Sequence, residues 1–241
     1  MIRHHSGHLA ALLLLGNTLN SATTMFLGHF GLALATKPTQ PRVSLGTLFL
    51  ATQLADLLWP TLLLLGIERV EIHPGLMAAS PFDFIDYPFS HSLVSQVLLG
   101  LLLGIIYGLR QRNWHGALLV GLLVPSHWLL DWVVHRPDLP LYPGSFPKQG
   151  LGLWNNLPAT LILELGLFTV GMWLYGRATR AKNRIGRFAL WGLVVFLVIV
   201  YLSAAFGPIP TNVSALAWGG QSLWLTVFWG YWVDANREKV A

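Results

Sequence analysis

The sequence predicts an all-α fold, a polytopic transmembrane helix bundle of about six to seven spans, and three observations carry that reading. Of its 241 residues, 54% are hydrophobic and only 10% are charged, against roughly 25% charged in soluble domains; the mean hydropathy is +0.57. Apolar stretches near the roughly 20 residues needed to cross a bilayer recur along the chain. Lys and Arg fall in alternate connecting loops, as membrane topology requires, so the net charge of +5 is read as a topological signal and no nucleic-acid partner is inferred from it. Cysteine is absent, which excludes disulfides and thiolate metal sites; any metal must sit on nitrogen and oxygen.

Residues 1–24 have two readings. Their apolar core at 9–15 is too short to span and is similar to a signal-peptide h-region behind Arg3, His4, His5 and His8, which makes them an N-terminal extension; alternatively the start is mis-called and translation begins at Met25. Residues 25–241 are expected to form a single integral membrane domain. A short, tilted helix is expected at 26–36, then spans at 43–66, 91–109, 116–134, 157–175, 188–206 and 213–232. The residues from 176 onward thus supply two additional C-terminal transmembrane helices. Pro60 is the expected break in the span at 43–66.

If the spans alternate, eleven cations share one face: Lys37, Arg42, Arg110, Arg112, Arg177, Arg180, Lys182, Arg184, Arg187, Arg237 and Lys239. The other face carries Arg69, Arg136 and Lys148 with the acidic residues Glu68, Glu71, Asp83 and Asp86. The basic face should be cytoplasmic, in a multi-pass protein of a bacterial-type inner membrane.

Chemistry concentrates in the stretch PSHWLLDWVVHRPD at 125–138. Four-residue steps on a helix advance about 40° each, so His127, Asp131 and His135 form one stripe before Pro137 stops the helix. An imidazole and a carboxylate one turn apart can hold a divalent cation, and the same spacing also suits a pair that merely satisfies itself. The other ionisable groups in the spans are Asp56 and Glu164, with His91 at the mouth of its span and Asp234 just past the last one. Each carboxylate near a helix centre costs roughly 2.5–3.5 kcal/mol, so shared partners are expected. At 1.5 Å per residue, Asp131, Glu164, His127 and Asp56 lie about 6, 10, 12 and 15 Å in from the outer helix ends, so all can converge in the outer half of the membrane. No Lys or Arg lies in the four spans that carry them, and a metal or protons must therefore supply the counter-charge. Ser126 is read as satisfying a helix carbonyl.

GHFG at 28–31, LADLLWP at 54–60, SHS at 90–92 and SHWLLD at 126–131 together resemble, in order and spacing, the YdjM-like family of predicted membrane-bound metal-dependent hydrolases. The resemblance covers residues 25–175 and implies His29, Asp56, His91, His127 and Asp131 as metal ligands; His135 is a further candidate from its place on the stripe. Two departures stand out: Leu58 replaces the second aspartate of the family's Pro-Asp-x-Asp, and Tyr-Pro-Phe precedes SHS where His-Arg is usual. A more distant similarity, to the all-helical zinc-dependent phospholipase C group, makes zinc the expected divalent ion. The segments HRPDLPLYPG and GLGLWNN are read as a lid or substrate wall.

Two functions follow. In the first the chain is an enzyme, a hydrolase open to the extracytoplasmic side, with Glu164 and Asp56 as candidate catalytic carboxylates and a membrane lipid or lipid-linked phosphoester as substrate. In the second it is a non-catalytic membrane protein, a proton- or metal-coupled transporter or assembly factor, using the same residues as a relay or structural site. A pocket open to one side only favours the first.

Overall fold

A computed structural model describes residues 26–240, so the two readings of residues 1–24 concern residues outside those described. In order, the helices of the first half are α1 (Leu27–Thr36), α2 (Leu45–Thr52), α3 (Leu54–Leu64), α4 (Pro88–His91), α5 (Leu93–Gln111) and α6 (Trp114–Val134). After a 3-10 turn at Leu153–Asn155 come α7 (Leu157–Ala178), α8 (Arg184–Phe206), α9 (Val213–Gly220) and α10 (Leu223–Ala235). Two antiparallel ribbons accompany them: β1 (Arg69–Ile72) with β2 (Phe82–Asp86), and β3 (Thr179–Ala181) with β4 (Arg237–Lys239).

Among the described residues only α5, α6, α7 and α8 are long and apolar enough to cross a membrane, which makes four spans, or five if α2 and α3 count as one bent element. This corrects the expected six to seven. The apolar run at 43–66 is interrupted at Gln53, where φ −107° and ψ 7° leave the helical range and the two halves diverge by 56°. Pro60, the expected break, sits inside α3 without ending it. The run at 213–232 divides after Gly219 and Gly220 into helices of 8 and 13 residues; glycine has the weakest helix preference of any residue except proline.

Packing between the long helices relies on close backbone approach. Gly100, Gly104 and Gly108 of α5 face Gly121, Ala117 and Trp114 of α6, and a Cβ at Gly104 would sit 2.8 Å from the Ala117 carbonyl oxygen. In the same way α1 lies against α7 through Gly31, whose added Cβ would meet the Leu167 carbonyl oxygen at 2.6 Å. This assigns a structural job to the second glycine of GHFG: it lets the short α1 dock closely enough to deliver His29. One apolar core, including Phe30, Phe49, Leu48 and Val120, fills the bundle. A second, including Trp59, Phe82, Phe84, Tyr87 and Trp154, lies under the outer loops.

At the opposite end Lys37 Nζ pairs with Asp234 at 2.7 Å, and the β3–β4 ribbon ties the C-terminal segment to the connection after α7. Asp234 is therefore spent there, away from the other acidic groups of the spans.

Gly31→Ala is expected to lower thermal stability by roughly 1–3 kcal/mol, as overpacking does. Gly166→Ala on α7, where an added Cβ meets nothing within 4 Å, is expected to be neutral. Equal melting temperatures for the two variants in detergent would contradict this account of α1 docking.

Candidate metal centre

The break at Gln53 begins the site. With the helix interrupted, the Thr52 carbonyl accepts from His127 Nδ1–H at 2.8 Å. A carbonyl cannot donate, so a proton is on Nδ1 and His127 turns its Nε2 inward, toward the carboxylates. That nitrogen lies 3.2 Å from Asp131 Oδ2 and 3.7 Å from Asp56 Oδ1.

His91 is set by the same logic through a longer chain. Ser90 Oγ donates its single proton to Glu68 Oε2 at 2.6 Å and so accepts from His91 Nδ1–H at 2.7 Å. Glu68 is itself buried and held by the Phe89 and Ser90 backbone N–H groups at 2.8 Å each. His91 Nε2 then points at Asp56 Oδ1, 3.5 Å away, and Asp131 Oδ2, 3.8 Å away.

His135 repeats the pattern just beyond the end of α6, which stops at Val134. Its Nδ1–H donates to Asp138 Oδ1 at 2.9 Å, and its Nε2 lies 4.0 Å from Asp131 Oδ2. Asp138 is fixed in turn by Tyr87 Oη at 3.0 Å and Arg136 Nε at 3.2 Å. Burial, and next the Asp138 carboxylate, hold the Tyr87 phenol well above its ordinary range, so it remains an O–H donor. Arg136 also pairs with Asp83.

His29, from α1, stacks on His127 with ring centroids 3.8 Å apart and puts Nε2 3.1 Å from Asp131 Oδ1. Its Nδ1 is buried without a hydrogen-bond partner. The structure thus brings together His29, Asp56, His91, His127, Asp131 and His135. Among the described residues no Lys or Arg pairs with Asp56 or Asp131.

These groups can hold a metal ion. Ligand atoms at about 2.0–2.2 Å from a tetrahedral ion lie roughly 3.3–3.6 Å from one another. The contacts of His91 and His127 with Asp56 and Asp131, at 3.2 to 3.8 Å, bracket that spacing. Two overlapping sets, His29 with Asp56 and His127, and His91 with His127 and Asp131, each offer three ligand atoms within 4.8 Å of one another. The oriented nitrogens, the two carboxylates without a fixed cation and the orphaned His29 nitrogen all suit a divalent ion bound by nitrogen and oxygen.

Glu164 stands apart from the cluster. Its Oε2 accepts from the backbone N–H groups of Phe26, Leu27 and Gly28 at 3.0, 2.9 and 3.4 Å, capping the first turn of α1. Ser126 Oγ donates to the Leu123 carbonyl on its own helix. A cavity of about 290 Å³ adjoins the cluster and is lined there by Asp56, His91, Asp131 and His135, with Trp59 and Phe84 beside them.

Sequence reasoning missed the outer partners Thr52, Glu68, Ser90, Asp138 and Tyr87. HRPD, with acid three residues after histidine, carried a local signal for Asp138. Glu68 carried none, because it lies 22 positions before Ser90 with the β1–β2 ribbon between them.

Ser90→Ala and Glu68→Gln are each expected to weaken zinc binding by roughly 10–100-fold, the usual cost of losing an outer partner of a ligand histidine. Competition against a chelator measures this, with the exposed Glu71→Gln as control. Wild-type affinity in both variants would show that the chain from Glu68 through Ser90 does not hold His91.

A family model described as YdjM inner membrane protein matches residues 20–209, a range that includes all six clustered residues. No curated protein and no solved structure matches the chain.

Proposed function

The chain belongs to the YdjM inner membrane protein family, and from that premise we propose that it is a membrane-bound metal-dependent hydrolase. In this reading a divalent ion, zinc by the resemblance drawn from the sequence, is held by His29, Asp56, His91, His127 and Asp131, with His135 completing the ring of nitrogens. The observation that carries the reading is the convergence of three outward-anchored imidazoles on two carboxylates, Asp131 buried and Asp56 half-buried, that have no Lys or Arg partner among the described residues. When bound, such an ion lowers the pKa of water and polarises a phosphoryl oxygen.

The chain's own residues have separable tasks. Asp56 lines the cavity with a side chain 20% exposed, which suits it to take a proton from the attacking water. Glu164 is a positioning residue, fixing the first turn of α1 and through it His29. Trp59 and Trp154 line the cavity, and their indole N–H groups have no hydrogen-bond partner in the described structure.

The substrate is a membrane lipid or lipid-linked phosphoester presented from the extracytoplasmic side. The cluster lies toward the C-terminal end of α6, which leads into a loop with few cations, and the eleven Lys and Arg residues expected on the other face mark the cytoplasmic side. A transporter would need a route to both sides. The cavity at the cluster and the one at the Lys37–Asp234 end share no lining residue, and this supports the hydrolase over the transporter.

Asp131→Asn tests the reading. Wild-type protein is expected to retain a divalent metal through purification and, reloaded with zinc, to hydrolyse bis(p-nitrophenyl) phosphate. The variant is expected to lose metal affinity and activity by more than the roughly 10–100-fold cost of an outer-partner change. Wild type devoid of metal, beside an Asn variant of equal or higher thermal stability, would sink the hydrolase and leave a neutralised carboxylate cluster in its place.

A further inference from the structure

The cavity that starts at the cluster runs on beyond its polar residues. Its far wall is built by Val200 and Ala204 near the C-terminal end of α8, and by Ala215, Gly219 and Leu223 from α9 and the start of α10. None of these side chains is charged or forms hydrogen bonds, and apart from the Ser222 hydroxyl beside them this end offers a ligand hydrophobic and dispersion contacts. Val200 lies about 9 Å from the end of α8 at Phe206, within the length expected to be in the membrane.

The wall is open on the flank of the bundle for a structural reason. α9 is fastened to α3, where Gly220 abuts the Pro60 ring and Gln221 Nε2 donates to Thr61 Oγ1 at 2.9 Å. α8 is fastened to α10 near its other end, through Trp229 Nε1 to the Ala189 carbonyl at 2.9 Å. The two supports diverge and leave a slot between α8 and α9. Ala215 and Gly219 are exposed although they line the cavity. α9 and α10 lie beyond residues 20–209, so the Ala215, Gly219 and Leu223 side of this wall is additional to the part of the chain that the family model covers, while Val200 and Ala204 lie within it.

We infer that this slot binds the hydrocarbon chain of a lipid, which passes sideways from the outer leaflet between α8 and α9 while the headgroup reaches the His/Asp cluster. The inference rests on the hydrolase reading for which end of the lipid meets the cluster; occupancy of the slot needs neither turnover nor metal. The continuity of one cavity, polar at Asp56 and Asp131 and apolar at Val200 and Gly219, selects an amphipathic occupant over a soluble one. Gly219 is the residue that keeps the slot clear. A Cβ built there meets nothing within 4 Å, so a large side chain would fill the opening without pressing on the backbone. At Gly220 the same addition would strike Pro60.

The test uses the full chain in nanodiscs of phosphatidylethanolamine and phosphatidylglycerol. They are doped with phosphatidylglycerol that carries a diazirine near the ester end of one acyl chain. After irradiation, adducts are expected on peptides containing Trp59, Phe82 or Phe84, which line the cavity but are buried from the surrounding lipid. Gly219→Trp is expected to remove those adducts and leave labelling of the lipid-facing Leu98 and Leu101 of α5 unchanged. Labelling of Trp59, Phe82 and Phe84 that survives Gly219→Trp would overturn the slot, as would its absence from wild type, the result expected if a second copy of the chain covers the opening. A wild type that is labelled yet holds no metal would retire the hydrolase and keep the slot. One that holds metal but is not labelled would do the reverse.

Discussion

The Asp131 carboxylate is the constraint on which the rest of the structure depends. It is buried on α6 in an apolar bundle where, among the described residues, no Lys or Arg pairs with it, and four imidazole nitrogens lie 3.1 to 4.0 Å from its two oxygens. A lone carboxylate in such a place costs several kcal/mol. Four segments that approach it each bring a nitrogen: α1 brings His29, α4 brings His91, α6 brings His127 and the chain just after α6 brings His135. The bend at Gln53 brings Asp56 to the same place and supplies the Thr52 carbonyl that orients His127.

Orientation separates this cluster from a set of histidines that happen to be near an acid. Thr52, Ser90 and Asp138 each take an Nδ1–H, and so each of three rings presents Nε2 inward. These acceptors are anchored in turn, Ser90 by Glu68 and Asp138 by Tyr87 and Arg136. The outer loops are thus part of the centre: β1 begins one residue after Glu68, and the segment after α6 carries Asp138. Glu164 extends the same principle to α1, whose N-terminal backbone N–H groups it satisfies inside the bundle, where water cannot.

The helical membrane character was legible from composition, and the convergence of Asp56, His91, His127 and Asp131 from helix depth and missing counter-charge. Those arguments depend only on hydropathy and a rise of 1.5 Å per residue, both local properties. Two apolar runs were misread as continuous because hydropathy does not register a backbone break: Gln53 is the bend and Pro60 is not. Glu68 was legible only as one of the acids on the less basic face, since nothing near it in sequence shows that Ser90 will cover it. Glu164 drew attention as a catalytic acid because its depth matched the cluster; depth does not reveal that the nearest donors are the free N–H groups of α1. The apolar wall from Val200 to Leu223 was invisible for the same reason, since an apolar residue lining a cavity reads like one facing lipid.

The central claim is that the inward nitrogens and two carboxylates form one metal centre of nitrogen and oxygen donors. X-ray absorption at the zinc edge tests it most directly, on chelator-stripped protein reloaded with zinc in detergent. The account predicts a first shell at about 2.0–2.1 Å with the multiple-scattering pattern of imidazole, reduced in His127→Ala. A spectrum of hydrated zinc without imidazole scattering, identical in wild type and His127→Ala, would contradict it.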